Sequence, residues 1–238
     1  MDYSGDPIHV FRGRSMVKKT KINGRKILFL LTHFRDVIQR EHKNGRFYEP
    51  QELSLIGKYF KPGDVFCDIG TNVGNHTIFV GCFLEPSRII CFEPNPDIVP
   101  VLQANILLND LEDICDLQHL GKGLSGTKAE NAGISFHPNN TGAGRLQLGS
   151  GSIPVAPGDE LLGDQKVDFL KIDVEGMELE VLSGLSKTIS RDKPTIFVEC
   201  ENANVDALTR ILVDKGYGQR EEWRRYPENI NLLFSFGD

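Results

Sequence analysis

The stretch Val65-Phe66-Cys67-Asp68-Ile69-Gly70-Thr71-Asn72-Val73-Gly74-Asn75-His76 decides how this chain is read. Residues 65–69 form a short apolar run broken only by Asp68, the pattern of a buried strand. Gly70 and Gly74 let the backbone turn sharply and approach a ligand closely. Residues 76–84 then take on helical character. The stretch is therefore strand, tight loop, helix, and the free N–H groups at the start of that helix point toward a bound anion.

The spacing bears on which anion. A dinucleotide fingerprint asks for G-x-G-x-x-G, whereas this loop offers G-x-x-x-G with Asn72 between the glycines. Asp68 suits a neighbouring cationic amine and suits a pyrophosphate poorly. Both features favour S-adenosyl-L-methionine, whose anion is its amino-acid carboxylate, over a dinucleotide. Glu93 ends the next apolar run, residues 88–92, nineteen residues beyond Gly74. An acid at that strand tip accepts hydrogen bonds from both ribose hydroxyls of a nucleoside without a 2′-phosphate.

The same alternation continues outward. Asn95 and Pro96 read as cap and first residue of a helix with Ile98, Leu102 and Ile106 on one face. Residues 116–120 form a weak third strand. Residues 121–158, rich in Gly, Asn and Ser, break the rhythm and read as an insertion near a functional surface. The pattern then resumes with a strand at 167–172 and a helix bearing Met177, Val181, Leu182 and Leu185. Next come a strand at 195–200, a helix marked by Val205, Leu208 and Leu212 that Gly216 ends, and a last strand at 230–236. Strands separated by helices imply an α/β fold with a mainly parallel sheet covered on both faces.

Upstream, residues 16–22 and 25–31 flank Asn23-Gly24, a strong hairpin signal. Pro50 suits the first turn of a helix running to about residue 60. Residues 1–60 thus read as an N-terminal extension packed on a main domain at 61–238.

Composition limits the function classes. With 39% apolar and 25% charged residues the chain is an ordinary globular sequence. A formal net charge of −6 argues against nucleic acid or anionic lipid as the main partner. The five cysteines, Cys67, Cys82, Cys91, Cys115 and Cys200, form no Cys-x-x-Cys pair and read as reduced core thiols. No run is long enough to span a bilayer or to serve as a signal core, and the expected location is cytoplasmic.

A third chemical element is Lys171-Ile172-Asp173-Val174-Glu175-Gly176, at the end of the strand at 167–172. In open α/β sheets ligands bind at the carboxyl ends of strands where the strand order reverses. Asp173 and Glu175, with Glu199 and Glu201 of the neighbouring strand, are expected to converge near one cleft. Such carboxylates can remove a proton, fix acceptor hydroxyls or hold a divalent cation, and Glu175 can instead cap the following helix. His76 is either a base or a residue of the cofactor and helix-packing wall. The cluster Trp223-Arg224-Arg225-Tyr226 either grips an acceptor or forms a solvated loop.

At these residues the sequence resembles the FkbM family of S-adenosylmethionine-dependent methyltransferases. The matching blocks are FYEPQEL at 47–53, KPGDVFCDIGTNVGNHT at 61–77, IICFEPNP at 89–96 and VDFLKIDVEGMELEVLSGL at 167–185, with a looser match in VAPGDELL at 155–162. The resemblance implies a Rossmann-like, seven-stranded sheet whose last strand is antiparallel. It implies cofactor contacts from Asp68, Gly70, Asn72, Gly74, Asn75, His76, Glu93 and Asp173, with adenine near Gly123-Leu124-Ser125. By the same resemblance Asp173 and Glu175 face the transferred methyl group, and the acceptor is a sugar, polysaccharide unit or polyketide-type hydroxyl. Asp173 is then the base or orients the acceptor, and Glu175 and Glu199 hold its other hydroxyls. No metal is expected. The expected partner is a small-molecule or glycan acceptor, with a homo-oligomer left open. Competing readings are an NAD-binding oxidoreductase, a nucleic-acid methyltransferase, and a non-catalytic module that binds S-adenosylmethionine.

Overall fold

The computed structural model describes residues 15–137, 140–147 and 149–237, so the first fourteen residues of the expected extension lie outside the described residues. In chain order the elements open with the hairpin β1 (Met16–Ile22) and β2 (Arg25–Leu31), then α1 (Val37–Lys43) and α2 (Pro50–Tyr59). The alternating part begins with β3 (Val65–Ile69), α3 (Asn75–Phe83), β4 (Arg88–Phe92), α4 (Val99–Leu108) and β5 (Cys115–Asp116). Four strands follow, β6 (Gly123–Leu124), β7 (Ala129–His137), β8 (Asn140–Gln147) and β9 (Ile153–Ala156), which form a second sheet in the order β6-β9-β7-β8. The chain then forms α5 (Gly158–Leu162), β10 (Phe169–Ile172), α6 (Glu178–Gly184), α7 (Ser186–Asp192) and β11 (Thr195–Glu201). It finishes with α8 (Val205–Asp214), β12 (Tyr217–Trp223) and β13 (Asn229–Phe236).

Seven strands make one sheet in the order β12-β13-β11-β10-β3-β4-β5. β5, β4, β3, β10 and β11 run parallel, and β13 lies antiparallel to β11. From β3 the chain winds outward through β4 to β5, then returns to β10 on the other side of β3. The order reverses between β3 and β10, which leaves a crevice beyond their carboxyl ends.

Side chains alternate across the central strands, as the two-residue period requires. Cys67, Ile69, Leu170, Ile172, Ile196 and Val198 pack on one face against Val181, Leu182 and Leu185 of α6 and its C-cap and Leu208 and Leu212 of α8. On the other face Phe66, Phe169, Phe197 and Leu233 join Phe29 of β2, Leu53 and Ile56 of α2, and Ile78 and Val80 of α3. The N-terminal segment therefore supplies part of the core. Its hairpin closes through Asn23 (φ 46°) and Gly24 (φ 84°), with Ile22 opposite Arg25, the twist a two-residue turn needs. Among the described residues all five cysteines are free thiols, and no helix is long and apolar enough to cross a membrane.

Three expected elements are displaced or shortened, and one strand was not expected. The helix after Glu93 starts at Val99, not Pro96. Asn95 precedes a proline, which disfavours helical geometry, and its side chain accepts from the Asp97 N–H in a local turn. The third strand is only Cys115–Asp116, because the Asp116 carboxylate takes the Gln118 N–H and side-chain amide and turns the chain away. β10 begins at Phe169, since the Val167 N–H donates to Asp192 rather than to a strand. β12 went unread, and its Gln-Arg-Glu-Glu sequence is that of an edge strand exposed along much of its length.

Candidate active site

A cavity of about 880 Å³ opens at the carboxyl ends of β3, β4, β10 and β11. Its first wall is the loop after β3. Gly70 has φ 80°, and a side chain there would place Cβ 1.9 Å from the Asp173 carbonyl oxygen, so only glycine lets the loop pass the end of β10. The Gly70 and Thr71 N–H groups donate to the Phe92 carbonyl, which ties the loop to β4. Asn72 adopts φ 51°, and its N–H donates to Glu93 Oε2 at 2.8 Å while the Asn95 N–H donates to Oε1 at 2.8 Å. Burial pushes the Glu93 carboxyl up to about 7, against the pull of these two N–H groups. A carboxylate has about four lone-pair sites, so acceptor capacity for a diol remains.

Behind the loop lies a lysine that sequence reading quoted but gave no role. Lys171, 2% exposed in β10, donates to the Gly70 carbonyl at 3.0 Å. Its ammonium also stands 3.3 Å from Asp68 Oδ1 and 3.3 Å from Asp173 Oδ2. Burial alone would lower its pKa, but Asp173, Asp68 and Glu49 together hold it above the ordinary lysine value. The signal in the sequence was a lysine inside the apolar run Phe169–Ile172, where an unpaired charge is untenable.

The structure brings most of the expected residues to one cavity. Gly70, Asn72, Asn75, His76, Glu93, Gly123, Leu124, Asp173, Glu175 and Glu199 all line it. Three expected contacts do not. Asp68 is fully buried beneath the loop, accepting from the Thr77 hydroxyl at 2.8 Å. Gly74 caps α3 and faces Leu102. Ser125 packs under Gly184, its N–H bonded to Ala156. Met177, not Glu175, takes the N-cap position of α6 and makes no side-chain capping bond, while Glu178 accepts from the Gly176 N–H at 2.7 Å. The insertion at 121–158 does reach the cavity, through Gly123, Leu124, Ile134, Gly144 and Leu146.

Part of the far wall carried no signal in the sequence. Tyr48, Glu49 and Asn229 line the cavity beside Glu199, together with the expected Glu201 and with Tyr226 of the aromatic and basic cluster. Glu199 accepts from the Asn229 amide at 2.7 Å; burial first, and then the charge of Asp173, push its carboxyl up to about 7. Burial, with Asp173 and Glu199 next, drives Glu49 well above the ordinary carboxylate range. His76 Nε2 lies 3.6 Å from Glu49, and burial followed by Lys171 holds this imidazole neutral. Of the Trp223–Tyr226 cluster only Tyr226 lines the cavity. Arg225 is committed to the buried Glu52 through two hydrogen bonds, 2.9 and 2.6 Å, and Arg224 to Asn202.

The lining is strongly acidic: Glu49, Glu93, Asp173, Glu175, Glu199, Glu201 and Glu228 face only Lys122 and Lys171 among the described cationic side chains. Such a cavity favours a cationic ligand and disfavours a pyrophosphate. Among the described residues no three His, Cys, Asp or Glu side chains gather as a set that could hold a metal ion.

Comparisons with known proteins agree with this geometry. Hexuronic acid methyltransferase AglP of Haloferax volcanii is 31% identical over 150 residues, covering 59% of this chain and 58% of that protein, so the match spans less than two thirds of that relative. Methyltransferase sdnD of Sordaria araneosa is 26% identical over 208 residues, 70% of this chain and 78% of that one. The crystal structure of methyltransferase FkbM from Methylobacillus flagellatus superposes with a TM-score of 0.52 at 22% identity, covering 74% of this chain and 44% of that one, a likeness of fold. The methyltransferase FkbM domain matches residues 68–220, more than half the sequence, and the chain belongs to that family.

Proposed function

We propose that this protein transfers the methyl group of S-adenosyl-L-methionine to a hydroxyl oxygen on a sugar, polysaccharide unit or polyketide-type natural product. The observation that carries the reading is the placement of Glu93 and Asp173 on either side of the Gly70–Gly74 loop, in one acidic cavity at the strand-order reversal. The relatives named above support the methyl-transfer class, and the hexuronic acid enzyme supports a sugar-like acceptor.

The residues present fit the donor. Glu93 takes the ribose hydroxyls with the lone pairs its two N–H partners leave. Gly123 and Leu124 would flank the adenine, and the N–H groups of the first turn of α3 would meet the amino-acid carboxylate. Asp68, too deep for direct contact, acts through Lys171 and Thr77 on the shape of the loop. When bound, S-adenosylmethionine supplies an electrophilic methyl carbon on a positively charged sulfur. Asp173 receives or orients the proton of the acceptor hydroxyl as the new bond forms, and Lys171 holds its carboxylate in place. Glu175 and Glu199 hold neighbouring hydroxyls of the acceptor, so much of the rate comes from positioning. Free thiols suit a reducing compartment, and the cytoplasm is the proposed location.

Isothermal titration with S-adenosylmethionine and separately with NAD tests the reading. Saturable binding of the former that Glu93→Ala abolishes is the expected result. Binding of NAD alone would replace methyl transfer by the oxidoreductase reading, and donor binding without turnover on any hydroxylated acceptor would leave a non-catalytic module.

A further inference from the structure

The strand order sets a scale across the cavity. Glu93 follows β4, and Glu199 lies on β11, three positions along the sheet. Neighbouring strands are about 4.8 Å apart, so the two carboxyls belong to opposite halves of the cavity. The half beyond Asp173 is closed by Tyr48 and Glu49 from the N-terminal segment and by Tyr226 and Asn229 from the turn and strand at the other end of the chain.

Glu49 is the anomalous residue in that half. It has φ 57° and ψ 53°, a left-handed conformation unusual for a residue with a Cβ, and it precedes Pro50, whose ring disfavours helical geometry in the residue before it. Strain of this kind clusters at functional sites. The residue is 7% exposed, yet among the described residues its carboxyl has no hydrogen-bond donor; His76 Nε2 stands 3.6 Å away. That nitrogen is itself buried and without a partner. Two facing polar groups, both more than nine-tenths buried and both on the cavity wall, are thus left for something that enters from solution. The local helix gains nothing from the carboxyl, which makes no capping bond to α2.

We propose that Glu49 is a specificity-determining residue of the acceptor subsite, where its carboxyl group hydrogen-bonds a hydroxyl of an uncharged polyhydroxyl acceptor. This rests on the methyl-transfer reading above. A protonated carboxyl both donates and accepts, as a hydroxyl does, and the crowding of Glu49, Asp173 and Glu199 favours the neutral form of one of them. An acceptor carboxylate in this half meets Asp173, Glu199 and Glu201 with no free cation beside it among the described residues, since Arg225 is bound to Glu52 and Lys171 to Asp68 and Asp173. Tyr48 and Tyr226, whose hydroxyls pair at 2.8 Å, add amphipathic side chains to the same wall, with the Arg225 guanidinium over the Tyr48 ring.

The test uses the full chain saturated with S-adenosylhomocysteine. The probes are methyl α-D-glycosides of glucose, mannose and galactose and the matching methyl uronides, followed by saturation-transfer NMR. We expect at least one neutral glycoside to bind and its uronide to bind about tenfold more weakly or not at all. Glu49→Leu, which keeps the bulk and removes both polar atoms, should weaken the neutral probe about tenfold, the loss of one buried hydrogen bond, with S-adenosylhomocysteine affinity unchanged and Tm equal or higher. A uronide bound as tightly as its glycoside, no glycoside binding, or unchanged glycoside binding in Glu49→Leu would each overturn the proposal. A clear fall in Tm for Glu49→Leu would overturn it as well, by making the residue structural. If S-adenosylhomocysteine itself does not bind, the methyl-transfer reading has failed, and this inference goes with it.

Discussion

The ammonium of Lys171 lies 3.3 Å from the carboxylate of Asp173, at the point where β10 gives way to the cavity. Two residues apart on one strand, they project to the same side of the sheet. Asp68, the cross-strand neighbour of Lys171 on β3, receives the same ammonium on its buried side. One cation thus serves a carboxylate in the core and one on the cavity wall, and its bond to Gly70 adds the glycine loop to the same assembly.

Lys171→Met removes that cation and leaves Asp68 buried without compensation. Breaking such a pair costs about 3–5 kcal/mol, which urea denaturation of the ligand-free protein will read directly. An unchanged midpoint would show that the ion pairs of Lys171 add nothing to stability.

Asp173→Asn keeps the shape of the site and removes the proton acceptor. Turnover should fall by roughly 10²–10⁴, with the dissociation constant of S-adenosylmethionine changed only slightly. Parallel loss of both quantities would assign Asp173 to donor binding instead.

The raised carboxyls predict an inverted pH dependence of stability. Glu93 and Glu199 are each pushed up to about 7 from 4.5, so between those values the folded protein holds protons that the unfolded chain has released. Stability therefore falls as pH rises through that window and levels off above it. Tm of the ligand-free protein should be higher at pH 5 than at pH 8, by about 2–4 °C for each kcal/mol of linkage in a chain of this size. Glu93→Gln should flatten the slope. Affinity for S-adenosylmethionine should run the opposite way, rising with pH as Glu93 ionises, and titration calorimetry at pH 6 and pH 8 checks it.

A chain beginning at residue 61 is expected not to fold cooperatively. It would uncover Phe66, Phe169, Phe197 and Leu233, the sheet face that Phe29, Leu53 and Ile56 now cover. Strong binding of a hydrophobic dye and a broad thermal transition are the expected readings. A sharp transition near that of the full chain would make residues 1–60 dispensable to the core.

What the sequence made legible follows from how locally each feature is encoded. The loop from Asp68 to Gly74 and the acids at 93 and 173 stand at strand ends within short motifs, so their positions could be read directly. β12 could not, because an edge strand carrying Gln219, Arg220, Glu221 and Glu222 has no apolar alternation to announce it. Glu49 was silent as a site residue, since 177 positions separate it from Tyr226 and only the completed fold brings both to one wall. Asp68 was legible as an acid at the right place, but its depth was not; that depends on Thr77 and Lys171 drawing it inward.

The side chain of Asn75 has a wider reach than its place in the first turn of α3 suggests. Its oxygen accepts from the Tyr48 N–H at 2.9 Å and is paired with His42 Nε2 at 3.0 Å, while its amide donates to the Tyr48 carbonyl at 3.0 Å. One amide thereby fastens the glycine loop to the segment that carries Tyr48 and Glu49. On the proposed methyl-transfer reading, donor and acceptor would meet the two sides of this link, and any coupling through it would change each one's affinity for the protein by the same factor.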